Sequence, residues 1–182
     1  MTTNRWNLDT VHSCLKFTVC HMVVSKVRGR FAKLNGTVAL DESDFTRSSM
    51  EATIDTPNID TGTAQRDDHL KSADFFDVER FPEIRFLSTR IEKVSGDRYR
   101  LTGELTIHGV TRSIAVETEY GGSGKDPWGN ERVGFTAKGT IDRKDFGLVW
   151  NQALETGGVL VSDRVDLELD VQAVRAAAAK AA

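Results

Sequence analysis

Two cysteines, three prolines and four histidines are all this 182-residue chain has of the residues that staple, break or metallate a fold. Cys14 and Cys20 lie in one segment. On a strand rising roughly 3.3 Å per residue they stand about 20 Å apart on one face. A disulfide spans only about 4.4–6.8 Å between Cα atoms, so they cannot bridge each other or share a metal. Free thiols fit a reducing compartment. His12, His21, His69 and His108 show no HxH or HExxH spacing and no Cys–His cluster, so no metal is expected. Neither a GxSxG elbow nor a glycine-rich phosphate loop occurs. Catalysis therefore leaves no local trace, and a non-enzyme is expected.

Charge of one sign is also missing. Lys and Arg number 24 against 27 Asp and Glu, a formal charge of -3. No basic run has the length of a nucleic-acid patch, and no nucleic-acid partner is expected. No stretch of about 18 apolar residues occurs, so no transmembrane segment is expected. The opening MTTNRWNLDT has no basic region leading into an apolar one, which gives the expectation of a cytoplasmic protein.

What the chain has is alternation. Leu15, Phe17, Val19 and His21 share one face of CLKFTVCH, and Met50, Ala52 and Ile54 alternate with Glu51, Thr53 and Asp55. Leu101, Gly103, Leu105 and Ile107 alternate with Thr102, Glu104 and Thr106, and Val165, Leu167, Leu169 and Val171 with Asp166, Glu168 and Asp170. Ile114 to Tyr120 follows the same rule, and strands are expected at 27–40, 84–94, 132–142 and 158–163. Between Phe31 and Leu34 the phase slips, which a bulge would explain. SGDR and HGVTR supply hairpin turns, while GGSGKDPWGNE (121–131) reads as the longest loop. Helical spacing shows at 66–78, where Asp67 and Asp68 suit an N-terminal cap. The expectation is an all-β fold with a short helical insertion: one domain over 1–175, then an Ala-rich tail at 176–182 that is too short to hold a helix alone.

About eight strands closed into a barrel give an interior that side chains fill or that holds one small ligand. Ala52, Gly103, Ala137 and Gly139 beside Phe17, Phe31, Phe86 and Phe135 could leave room or could taper an ordinary core. The pattern leaves both open.

Particular motifs add more. On WNLDTVHSCLKFTVCH (6–21), VRGRF (27–31), IDTGTAQRDDHLKSADFFDVERFPEIRF (59–86), LTGELTIHGVTRSIAVE (101–117) and IDRKDFGL (141–148), the chain resembles the YceI family of lipocalin-like isoprenoid-binding proteins. The resemblance implies an extended eight-stranded antiparallel β-barrel with a helical segment closing one end. It also implies non-catalytic carriage of a polyisoprenoid, such as a prenyl pyrophosphate or isoprenoid quinone, without a cofactor, and often as a homodimer. Many members are periplasmic.

On that reading the tail would touch Leu15, Phe17, Val19, Phe31, Met50, Ala52 and Ile54, with Phe86, Leu101, Gly103, Leu105, Phe135 and Ala137 beyond. His21 could hydrogen-bond a polar head, or be satisfied by a neighbouring backbone or carboxylate group. Arg66 could meet an anionic head at the helix start or tie the helix to the rim, with His69 beside it. Phe75 and Phe76 could plug the barrel or pin the helix. Trp6 and Trp150 are expected to pack at the barrel ends and Trp128 to be exposed. Two alternatives stand: an enzyme acting on an apolar substrate, and a filled-core interaction module.

Overall fold

Strands form nearly wherever the sequence alternates. In the computed structural model residues 3–177 are described. In chain order they give β1 (Thr3–Leu8), β2 (Cys14–His21), β3 (Ser25–Phe31), β4 (Leu34–Asp41), β5 (Ser49–Asp55), β6 (Ile59–Asp60), helix α1 (Ala64–Lys71), β7 (Glu83–Ser95), β8 (Arg98–Ile107), β9 (Val110–Lys125), β10 (Glu131–Asp142) and β11 (Arg164–Arg175).

Hydrogen bonding runs β1-β4-β5-β7-β8-β9-β10-β11, and β11 returns to β1 with Trp6 opposite Arg175. Eight antiparallel strands thus close into a barrel. The long β11 offers one edge to two partners: Ala173–Arg175 bond β1, while Asp166–Asp170 bond β2. From β2 the sheet continues through β3 to β6, extending the wall beyond the closed barrel.

The phase slip after Phe31 is a two-residue break rather than a one-residue bulge. Ala32 and Lys33 leave the ladder exposed, while Phe31 and Leu34 on either side are buried. The chain thereby passes from pairing with β2 to pairing with β1 and β5.

Four further expectations need correction. The glycine-rich stretch at 121–131 is mostly strand: β9 runs to Lys125, and Gly122 and Gly124 pair with Gly134 and Arg132. Gly121 is the extra residue of a bulge there, and only 126–130 form the loop. The strand expected at 158–163 is reduced to isolated bridges at Val159 and Val161, so the long loop is 147–163 instead. The helix at 66–78 is Ala64–Lys71, ended where the Ser72 N–H and hydroxyl both donate to the His69 carbonyl at 3.1 and 2.7 Å. Asp67 and Asp68 do not cap it. The cap position is Thr63, and Asp67 instead accepts from the Thr61 N–H and hydroxyl at 2.9 and 2.6 Å, bracing the preceding loop. Of the alanine tail, Ala176 donates to the Arg5 carbonyl at 2.8 Å, and 178–182 lie outside the described residues.

Candidate functional site

Inward residues of the barrel enclose two apolar compartments. The upper is a cavity of about 130 Å³, walled in part by Met50, Ala52, Ile54, Phe86, Leu101, Phe135 and Ala137. The lower, about 710 Å³, is walled in part by Phe17, Val19, His21, Phe31, Phe75 and Phe76. Leu15, Leu105 and Leu167 border both, so the two meet at a leucine waist. At the top a ring cluster closes the upper chamber: Phe45 packs on Tyr99, Tyr120 and Phe135 with centroids 5.6, 5.0 and 6.2 Å apart. Thr118 Oγ1, on the upper wall, is buried without a hydrogen-bond partner.

Every aliphatic and aromatic candidate except Gly103 borders one compartment or the other. Gly103 does not leave room. A Cβ there would collide with the Phe86 ring, which lies over the glycine. Gly139 likewise seats Val116, 2.7 Å from where its Cβ would be, and Gly29 seats Phe17. These glycines are filled by neighbouring side chains, and only Ala52 and Ala137 of the small set face the cavity.

The polar groups gather at the lower end. Half-exposed His21, Arg66, His69, Trp150 and Leu160 mark where that chamber meets solvent. Among the described residues Arg66 makes no ion pair tying helix to rim. Its Nε and Nη2 donate to the Thr61 hydroxyl and carbonyl at 2.7 Å each, and Nη2 to the Thr63 hydroxyl at 3.2 Å. His69 Nε2 sits 2.9 Å from Asp74 Oδ2, and its ring stands edge-on to Trp150 and Phe75 at 4.7 and 5.1 Å. Phe76 meets Phe31 edge-on at 5.8 Å. Phe75 and Phe76 therefore line the chamber, whereas Phe81 packs outside on His108 at 4.7 Å. Trp150 packs on Phe75 and His69 at the lower end, where it is also chamber wall, Trp6 is buried under the Arg175 guanidinium and Trp128 is exposed.

Arg143 was not singled out from the sequence. Its guanidinium is buried on the lower wall and donates to the carbonyls of Leu148, Trp150 and Ser162 at 2.6, 2.8 and 2.9 Å, with Val161 at 3.4 Å and Asp163 beside it. Burial pushes its pKa down, with Asp163 and Asp142 acting the other way. It fastens the 147–163 loop to the barrel. The sequence signal for it was its place in IDRKDFGL.

A family model described as "YceI-like domain" matches residues 6–173. A UPF0312 protein of Pectobacterium atrosepticum is 40% identical over 144 residues, covering 79% of this chain and 74% of that protein. The Escherichia coli protein YceI is 37% identical over 164 residues, covering 90% and 82%. Among solved structures, Burkholderia cenocepacia BcnA superposes with a TM-score of 0.79 at 24% identity, covering 91% of this chain and 98% of that one. The Campylobacter jejuni YCEI protein gives 0.75 at 30%, covering 87% and 90%. A polyisoprenoid-binding domain from Saccharophagus degradans gives 0.69 at 14%, covering 94% and 98%, which speaks for a shared fold.

Proposed function

The chain belongs to the YceI-like family, and from that premise we propose that it holds a polyisoprenoid lipid, tail in the tunnel and head at the lower mouth, without transforming it. The observation that carries this reading is the pair of adjacent apolar chambers with Leu15, Leu105 and Leu167 between them. An extended tail entering from below would pass the waist and end against the Phe45 ring cluster. Burying on the order of 300 Å² of tail at about 25 cal/mol per Å² contributes roughly 7–8 kcal/mol before ordering costs. The fold shared with a domain described as polyisoprenoid-binding supports the ligand class.

Carriage rather than chemistry is supported by how the polar groups at the mouth are engaged. His69 is held by Asp74, Arg66 by Thr61 and Thr63, and Arg143 by backbone carbonyls. Each is a positioned donor or ring with a structural partner. Arg66 keeps Nη1, and His21 its ring, for a polar or anionic head group. Dispersion contacts distinguish tails poorly, so head-group contacts would set what selectivity there is.

Native mass spectrometry of the purified protein, followed by lipid extraction and titration with a prenyl lipid, tests this. A one-to-one apolar adduct is the expected result. A protein that takes up no prenyl lipid on titration would sink the proposal, and conversion of bound lipid to a new mass would replace carriage with catalysis.

A further inference from the structure

The three-residue link between β2 and β3 departs from what a hairpin tip requires. Met22 and Val23 both adopt positive φ, 53° and 64°. That backbone region is sparsely used outside glycine and asparagine, and for a β-branched residue it is an outlier. The side chains held there are left largely to solvent: Val23 is 78% exposed and Val24 85%. A tip built only to reverse the chain would place Asn or Gly here. Retention of three apolar side chains in a strained, solvent-facing turn marks a surface awaiting a partner.

Its neighbourhood identifies the partner. The Met22 N–H donates to the Leu160 carbonyl at 2.9 Å, and Gly158 lies against Val23. The tip is thereby joined to the 149–161 segment, which exposes Val149 and Val159. Immediately behind both stand lower-chamber wall residues: Val19, His21 and Val27 on the hairpin, Leu160 and Val161 on the loop. The apolar tip is thus the outer rim of the tunnel mouth. On the same hairpin, Lys26 and Arg28 are exposed on the outer face of β3 and form no salt bridge among the described residues. Lys26 lies close enough to Asp166 to help lower its pKa, while Arg30 is taken by Asp60. The 149–161 segment carries one acid, Glu155. Protruding aliphatic side chains followed within one strand by exposed cations match an anionic lipid surface, with acyl chains for the former and head groups for the latter.

We infer that the β2–β3 tip and the 149–161 segment form a docking collar that seats the lower mouth of the tunnel on an anionic bilayer. The inference rests on the carriage reading for its purpose, since a tail could then pass between bilayer and tunnel without crossing water. Docking itself is measurable apart from carriage.

The full chain is sedimented with large unilamellar vesicles of equal parts phosphatidylcholine and phosphatidylglycerol, and with vesicles of phosphatidylcholine alone. Binding is expected on the anionic vesicles, weakening with salt. Val23→Asn with Val24→Ser should lower the bound fraction about tenfold, because less apolar surface is left to insert. Asn also tolerates the positive φ, so this variant should fold at least as well as the parent. Lys26→Gln and Arg28→Gln should each lower binding roughly fivefold. Uptake of geranylgeraniol from an ethanol dispersion, read by native mass spectrometry, should be unchanged in all these variants. A parent protein that ignores anionic vesicles while taking up geranylgeraniol overturns docking and leaves carriage standing. Vesicle binding indifferent to the tip substitutions overturns it equally. A tip-dependent dimer in sedimentation velocity, with no vesicle binding, would give the collar to a second copy instead. Tip-dependent vesicle binding without geranylgeraniol uptake would uphold docking and remove carriage.

Discussion

At Gly103 an added methyl group would strike the Phe86 ring and come within 2.6 Å of the Leu87 carbonyl oxygen. Backbone cannot give way as a flexible side chain can, so Gly103→Ala should overpack the wall and cost about 1–3 kcal/mol. A lower urea midpoint with an unchanged slope is the expected reading. Ala52, on β5 with β7 between it and β8, is a different case, because its methyl faces the upper chamber rather than a ring seated on it. Ala52→Trp should occupy that chamber and abolish prenyl-lipid uptake while the far-ultraviolet β spectrum stays intact. If uptake survives in Ala52→Trp, the tail does not reach the upper chamber. Two small residues on the same inward faces thus have opposite roles, and what separates them is whether a neighbour's side chain already fills the space.

Between elements, the 147–163 loop is gathered on Arg143, while Asn151 ties it internally to both backbone groups of Val161. It contains no strand of its own, only the isolated bridges at Ala153–Val159 and His21–Val161. Its carbonyls at 148, 150, 161 and 162 converge instead on the Arg143 guanidinium. A fixed planar fork with five donors suits this, and no apolar or single-donor residue replaces it. Arg143→Met should therefore ease local opening of 147–163 by about 2 kcal/mol or more, since several part-buried carbonyls lose their donor together. Hydrogen exchange should quicken in that loop while β8 and β10 amides keep their protection. Because Trp150, Leu160 and Val161 are chamber wall, the same variant should release bound lipid faster.

On the scale of the whole molecule, the opposite end of the barrel is joined by charge. Arg132 on β10 donates from Nη1 to Asp9 Oδ2 at 2.6 Å and to Gln172 Oε1 on β11 at 3.1 Å, and from Nε to Asp126 Oδ2 at 2.8 Å. Residues after β1, in the β9–β10 turn and on β11 are thus tied through one guanidinium. Burial alone would raise both carboxyls, but the hydrogen bonds from Arg132, with those of His12 on Asp9 and of Asn130 on Asp126, hold them well below the usual carboxylate range. A carboxyl whose folded pKa lies below its unfolded one stabilises the fold above the unfolded value, near pH 4, and loses that contribution as pH falls further. Melting temperature should therefore fall steeply below about pH 4 in the parent. In Arg132→Met it should start lower at neutral pH and fall less. Parallel curves for the two would show that this network does not set the acid limit.

Alternation along β2, β5, β8 and β11 made the barrel legible from sequence, because inward and outward chemistry is written residue by residue at period two. The same parity placed Leu15, Met50, Leu101 and Phe135 on the inner face without knowledge of any contact. The two-residue turn at His108 and Gly109, with φ of 52° and 72°, was equally local. Other features were not local. Whether Gly122 and Gly124 make loop or ladder depends on β10 lying opposite them, and composition is silent on that. Helical spacing past Lys71 was overruled by Ser72, which closes the helix on the His69 carbonyl. Gly103 looked like room until the Phe86 ring was seen to fill it. Arg143 looked like any charged residue until the carbonyls it serves, up to 19 residues away, were brought around it. Sequence determined which residues face inward, since that follows from the backbone period. Tertiary structure decided how much of the inward space stays empty and where its mouth lies, since both depend on which distant side chains arrive to fill it.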